Sequence, residues 1–262
     1  MARRWRLLFV LGAVALFPAS GGATSFTRMI STMANHALPR YLCPHVSETM
    51  KIDGRLDENA WTKAQAVALT LYDGSGPPNR LAQVRACWDD CNLYLAFVSF
   101  DDDIWATFDK RDSPLWMEKV VEAFIAPTAD LTRYYEFEAS PLNTVLDLSI
   151  SNPHFTVKNI AAADFAWTSP GWKTAVTVKG KVNDPAVKDE SWTSEWAIPF
   201  ADLTPDGKPP CPGAVWRVNF YRIDYRRDGA AEHSAWSPTL TESPDFHVPP
   251  RFGYLEFSPE TK

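Results

Sequence analysis

From Lys51 onward the chain alternates apolar and polar positions with a period of two, and no long segment carries a convincing period of 3.6. Successive side chains of a strand point to opposite faces, so this pattern predicts β-structure. Segments 66–72, 82–88, 92–100, 119–126, 133–139, 144–150, 172–180, 191–198, 214–226 and 253–257 read as strands. The clearest pair is AQVRACWDDCNLYLAFVSF at 82–100, which alternates on both sides of Asp89-Asp90 and predicts a hairpin. IDGRLDENAW at 52–61 reads as a short strand, a turn at Asp53-Gly54, and one helical turn carrying Asp57, Glu58 and Trp61. Strands do not alternate with long helices, which argues against a parallel α/β fold. The expected fold is all-β: an antiparallel β-sandwich, jelly-roll or immunoglobulin-like, with short helical turns.

The N-terminus departs from this pattern. Arg3, Arg4 and Arg6 precede an apolar run from Leu7 to Phe17, and small residues follow. This three-part order predicts a signal peptide over 1–23, too short in its apolar part to span a bilayer. The polar stretch 24–44 reads as a linker and 45–258 as the sandwich. A secreted or periplasmic location follows, with no membrane insertion after cleavage. The formal net charge of −6 argues against non-specific nucleic-acid binding, which needs clustered basic residues. Four cysteines in an exported chain suggest two disulfides. Cys87 and Cys91 flank the expected hairpin tip, which favours Cys87–Cys91 with Cys43–Cys211; unpaired thiols are the alternative.

Candidate chemistry is sparse. The chain lacks a phosphate-binding glycine loop, a GxSxG elbow and an HExxH motif, and its five histidines are dispersed. Asp101, Asp102 and Asp103 follow a strand, and such a triplet is either a solvated turn or a weak calcium candidate. PLWMEKVVEAFI at 114–125 is the most informative stretch. Alternation puts Lys119, Val121, Ala123 and Ile125 on one face and Val120, Glu122 and Phe124 on the other. The first set can fill a core, which leaves Glu122 on the opposite face with Trp116 at the mouth of the strand. A buried unpaired carboxylate costs several kcal/mol, so Glu122 needs partners: Tyr134, Tyr135, Arg133 and Arg222, or ligand hydroxyls. Of eleven tryptophans, Trp61, Trp88, Trp192, Trp196 and Trp216 read as core, while Trp105, Trp167, Trp172 and Trp236 fit either role.

Seven ordered blocks then carry a resemblance. They are IDGRLDENAW (52–61), VRACWDDCNLYLAF (84–97), PLWMEKVVEAFIAP (114–127), RYYEFEASPLNTVLDLSI (133–150), SWTSEWAIPFADL (191–203), WRVNFYRID (216–224) and AWSPTLTESPDFHVPPRFGYLEF (235–257). Together they make the chain resemble a stand-alone carbohydrate-binding module of family 9 type. The resemblance implies non-catalytic binding of a mono- or oligosaccharide end, in carbohydrate catabolism. Two aromatic clamps match Trp116 and Phe246, and the strand carboxylate matches Glu122. The polar stretch Glu138 to Asn143 matches a further group of contacts and brings in Asn143; Arg222, already a candidate partner of Glu122, completes the expected site. The only cofactor implied is structural calcium. Lys119 stands where the family often carries an acidic residue, and Phe246 has less stacking area than Trp. Two alternatives stand beside this reading. Glu118 and Glu122 could serve as the carboxyl pair of a glycoside hydrolase. Met117 and His247 could serve as axial ligands of a haem or redox sandwich.

Overall fold

The structure is a computed structural model, and it describes residues 37–259. The expected signal peptide, and the expected linker up to residue 36, lie outside the described residues. The chain opens with β1 (Arg40–Cys43), α1 (Ala60–Lys63), β2 (Val67–Ala68) and β3 (Thr70–Leu71). The hairpin β4 (Ala82–Trp88) and β5 (Asn92–Phe100) follows. A 3-10 turn at Leu115–Met117 leads into β6 (Val120–Ala126), β7 (Arg133–Ala139) and β8 (Val145–Ser151). Then come β9 (Ala162–Asp164), β10 (Lys173–Lys179), β11 (Ser191–Pro199) and α2 (Phe200–Leu203). β12 (Val215–Tyr225), β13 (Ala231–Ala235) and β14 (Gly253–Phe257) complete the fold.

These strands form two sheets, as expected for an all-β sandwich. The larger has nine strands, ordered β1-β14-β12-β6-β7-β8-β9, with β13 and β3 joined beside β12. The smaller is β10-β11-β5-β4-β2. All pairings are antiparallel except β1 with β14. The core between the sheets takes Val121, Ala123 and Ile125 from β6, Phe137 from β7, and Val218 and Phe220 from β12. Facing them are Val84, Ala86, Leu93, Leu95, Phe97, Trp192 and Trp196. Phe97 bridges the two layers, 4.8 Å from the Trp196 ring and 6.0 Å from the Phe220 ring. The five tryptophans assigned to the core are buried, and so is Trp236.

Several local expectations shift. The expected linker contains β1, whose Tyr41 and Cys43 are buried against the core, so the sandwich starts at Arg40. The expected strand 66–72 divides at buried Leu69: β2 pairs with β4 in one sheet and β3 with β13 in the other. No strand forms at Ile52, because the Asp53 and Gly54 amides donate to Glu195, at 3.0 and 2.9 Å, rather than to a neighbouring strand. Gly54 has φ +81°, and a Cβ there would meet Thr177 at 2.9 Å, so this bend requires glycine.

The disulfide expectation is not met: all four cysteines are free. Asp89 accepts hydrogen bonds from the Cys91 and Asn92 amides, both 2.7 Å, which folds Cys91 into the hairpin loop. Cys87 is therefore opposite Tyr94, not Cys91. Cys43 and Cys87 are fully buried, whereas Cys91 and Cys211 are exposed, so neither expected pair shares a surface. Burial also pushes the Cys43 and Cys87 thiols up, away from the reactive thiolate.

One end of the sandwich is closed by buried ion pairs. Lys119 Nζ donates to Asp101 at 2.8 Å and also to Asp224; Arg222 Nη2 donates to Asp101 at 3.0 Å. Arg80 binds Asp102 and Asp224, and Arg227 binds Asp103. Burial pushes the Asp224 carboxyl up, but Arg222, Lys119 and Arg80 together hold it below the usual range. The weak calcium candidates Asp101, Asp102 and Asp103 are thus each spent on a basic side chain. A cation there would have to displace arginine and lysine.

Two consequences can be measured. Lys119→Met keeps the aliphatic stem but leaves Asp101 and Asp224 without their shared cation, so urea denaturation should show a loss of about 3–5 kcal/mol. A loss below about 1 kcal/mol would mean the network does not hold this end together. Thiol titration of native protein should report two fast thiols, Cys91 and Cys211, and two more only on unfolding.

Candidate functional site

β6 is buried at every position, so both of its faces are covered. Its odd-numbered residues face the other sheet. Its even-numbered residues face a second apolar cluster on the far side of the nine-stranded sheet. That cluster contains Leu115, Phe124, Tyr134, Leu148, Tyr221 and Phe252 among others. Glu122 lies within it. Register places Glu138 of β7 directly opposite Glu122, and Glu136 opposite Phe124. The same alternation that turns Phe137 and Ala139 into the core turns Glu136 and Glu138 onto the Glu122 face.

Three carboxyls therefore meet on one buried face. Glu122, Glu136 and Glu138 are 2%, 4% and 0% exposed, and one oxygen from each lies within 4.8 Å of the other two. Glu122 Oε1, Glu136 Oε2 and both Glu138 oxygens meet no donor at hydrogen-bonding geometry. Burial pushes the Glu122 carboxyl well up, and Glu136 pushes it further. Burial likewise raises Glu138, followed by Glu122 and Glu136, with the Trp116 backbone as a small opposing influence. Beside the triad, Tyr134 Oη lies 2.7 Å from His247 Nδ1, and His247 Nε2 is 4.0 Å from Glu136. Asn152 Nδ2 donates to the His247 carbonyl at 3.0 Å. The signal for Glu136 was the spacing in YYEFEA: a period of two puts it beside Glu138.

The residues expected in the site are distributed as follows. Trp116 is 39% exposed on the 3-10 turn, and it is the one exposed tryptophan among the described residues. Phe246 is buried, stacked on Tyr221 at 4.1 Å with 13° between ring planes, and Tyr221 is the β12 neighbour of Glu122. Phe246 and Glu122 thus share the outer face of the sheet, and Leu115, next to Trp116, packs into the same cluster. Arg222 does not join them. It is opposite Val121, on the inward parity of β12, and its guanidinium is consumed by Asp101 and the carbonyls of Arg80, Leu81 and Phe100. Asn143 sits in the β7–β8 turn at φ +59° and donates to the Thr174 carbonyl of the other sheet at 3.4 Å. Lys119 also has inward parity and stays in the ion-pair network.

The alternative chemistries find little geometry. Glu118 accepts from the Thr107 amide and hydroxyl and lies outside the triad. Met117 is 58% exposed while His247 is engaged with Tyr134, so they form no buried axial pair. A separate polar cavity of about 630 Å³, lined by Asn79, Arg80, Asp101, Asp102 and Glu232 among others, shares no residue with the triad.

The arrangement defines a class: an all-β sandwich with a polar site on the outer face of its larger sheet. Residues 52–258 match the family described as carbohydrate family 9 binding domain-like, and the chain belongs to that family. It is 30% identical over 178 residues to an extracellular protein of Arthroderma benhamiae, covering 66% of this chain and 77% of that one. Among solved structures, a candidate carbohydrate-binding protein of Bacteroides uniformis superposes with a TM-score of 0.67 at 19% identity, covering 85% of this chain and all of the other. A family 9 carbohydrate-binding module of Caldicellulosiruptor kristjanssonii, solved with glucose and with cellotriose, gives 0.58 at 16% identity, covering 86% of this chain and 98% and 96% of the two chains compared. At these identities the likeness concerns the fold.

The raised carboxyls make stability depend on pH with a definite sign. The folded state holds protons on Glu122 and Glu138 at pH values where the unfolded chain has released them. Stability must therefore fall as pH rises above about 4.5 and through the folded-state range. In chelator-containing buffer the wild type should unfold more easily at pH 8 than at pH 5. Glu138→Gln, which mimics the protonated form, should flatten that slope and gain about 1 kcal/mol or more at pH 8. Identical slopes in the two proteins would show that Glu138 is not held protonated.

Proposed function

We propose that this chain is a secreted protein that binds carbohydrate without cleaving it, through the outer face of the nine-stranded sheet at Trp116. One observation carries the reading. Of the ten tryptophans among the described residues, nine are buried or half-buried, and the exposed one stands at the mouth of the strand that bears Glu122. An exposed indole at the mouth of this strand leaves a flat apolar ring face that a ligand can cover. The apolar C–H face of a pyranose is such a ligand, and covering the indole stabilises a complex by a few kcal/mol at roughly 25 cal/mol per Å². Family membership supports the same reading, as do the complexes of the Caldicellulosiruptor module with glucose and cellotriose. The extracellular relative supports secretion.

Phe246 contributes differently from an open clamp. One ring face is spent on Tyr221, so it serves as a wall that fixes the loop beside Glu122. Binding is favoured over hydrolysis because cleavage requires two carboxyls that reach opposite sides of a glycosidic bond. Glu122, Glu136 and Glu138 crowd together in an apolar interior instead.

Titration calorimetry with glucose, cellotriose and a panel of other oligosaccharides tests this. Wild type should bind at least one of them, and Trp116→Ala should bind it at least tenfold more weakly with an unchanged circular-dichroism spectrum. Equal affinity would remove Trp116 from the site. A wild type that binds no sugar would remove the function as a whole.

A further inference from the structure

The triad poses a problem that sugar binding does not solve. Two carboxyls placed directly opposite one another across antiparallel strands repel once both ionise, and Glu122 faces Glu138 in that way. Glu122 Oε1 and Glu136 Oε2 meet no hydrogen-bond donor, in side chains at least nine-tenths buried, and Glu138, fully buried, has only the Trp116 backbone and the Glu136 carboxyl beside it, neither of which brings a positive charge. Among the described residues, no lysine or arginine bears on the Glu122 or Glu138 carboxyl. The cations of this strand and its neighbour, Lys119 and Arg222, have the opposite parity and are bound to Asp101 and Asp224. Among the described residues, the basic group recorded beside the triad is the His247 imidazole, 4.0 Å from Glu136. Buried carboxylates left this way are retained where something neutralises them.

The donor set identifies what fits. Three carboxylates offer up to six oxygens and no sulfur, which suits a hard cation over a soft one. One oxygen from each glutamate lies within 4.8 Å of the others, a span that an ion with metal–oxygen distances of about 2.4 Å can bridge without moving the strands. We propose that Glu122, Glu136 and Glu138 together hold a hard divalent cation of calcium size between β6 and β7. The site rests on strand register and on unpartnered buried oxygens. It stands whether or not Trp116 binds sugar. It also differs in place from Asp101, Asp102 and Asp103, whose carboxylates are paired with arginine and lysine.

The test uses the whole protein, stripped with chelator and dialysed, with no sugar present. Titration calorimetry with calcium chloride, and separately with manganese and magnesium chloride, should show one cation per chain, calcium tighter than magnesium. At about 100 times the dissociation constant, the thermal midpoint should rise by roughly 5–10 °C. Glu138→Gln and Glu122→Gln keep the side-chain shape and should weaken calcium at least 100-fold, while Asp102→Asn, at the ion-pair end, should bind as wild type does. Absence of any cation binding by wild type would overturn the proposal. So would wild-type affinity in both glutamine variants. Should a variant fail to fold, the wild-type stoichiometry and thermal shift decide alone.

Discussion

Strand β6 is covered on both faces, and everything distinctive about this molecule follows from that constraint. A strand with one face in water can put its charges there. β6 cannot, so Glu122 within it and Lys119 just before it both end up buried, three residues apart and on opposite parities. The two solutions differ. Lys119 meets acceptors on β12 and on the loop after β5, so its charge is met by two carboxylates. Glu122 is surrounded by hydrocarbon, aromatic rings and two more carboxyls. One end of the strand is an electrostatic closure and its middle is an electrostatic deficit.

Much of this was legible in the sequence, and the physics explains which parts. Period-two alternation fixed both the existence of β6 and the direction of Glu122, because parity depends only on counting residues. The same counting would have turned Glu136 toward Glu122 and Arg222 away from it. Arg222 entered the expected site as a candidate partner of Glu122, but its parity on β12 turns it to the opposite face, beside Val121. The strands that escaped notice are short. β9 and β13 carry little apolar signal, and β1 has none of the flanking turns that mark a strand. Cysteine pairing was illegible for another reason. A three-residue difference in hairpin register, set by the Asp89 side chain, decides whether Cys87 faces Cys91 or Tyr94.

The site was legible in kind but not in detail. An apolar strand with a carboxylate in its middle and tryptophan at its mouth signalled a ligand face from composition alone. That Phe246 would be stacked on Tyr221 depends on how the loop after β13 returns to the sheet, a contact about 25 residues distant in sequence. Local patterning carries no information about such a return. The IDGRLDENAW block illustrates the converse. Its strong pattern marks no ligand, because Asp53, Gly54 and Trp61 converge on Glu195 to fasten the N-terminal segment across the smaller sheet.

A face made of bare acceptors selects for ligands that donate, and two kinds of donor differ in what they can reach. Sugar hydroxyls are carried on a rigid ring several ångströms across. They meet the rim of the face, where the Trp116 indole is exposed, more readily than oxygens that are 0–4% exposed. A single dehydrated cation has no such limit and needs only the space between three carboxyls. The two readings therefore occupy different depths of the same face. The Trp116 backbone lies beside Glu138, so neutralising the triad would also fix the turn that carries the indole. A cation beneath and a pyranose above would then act on one element, the Leu115–Met117 turn, from opposite sides.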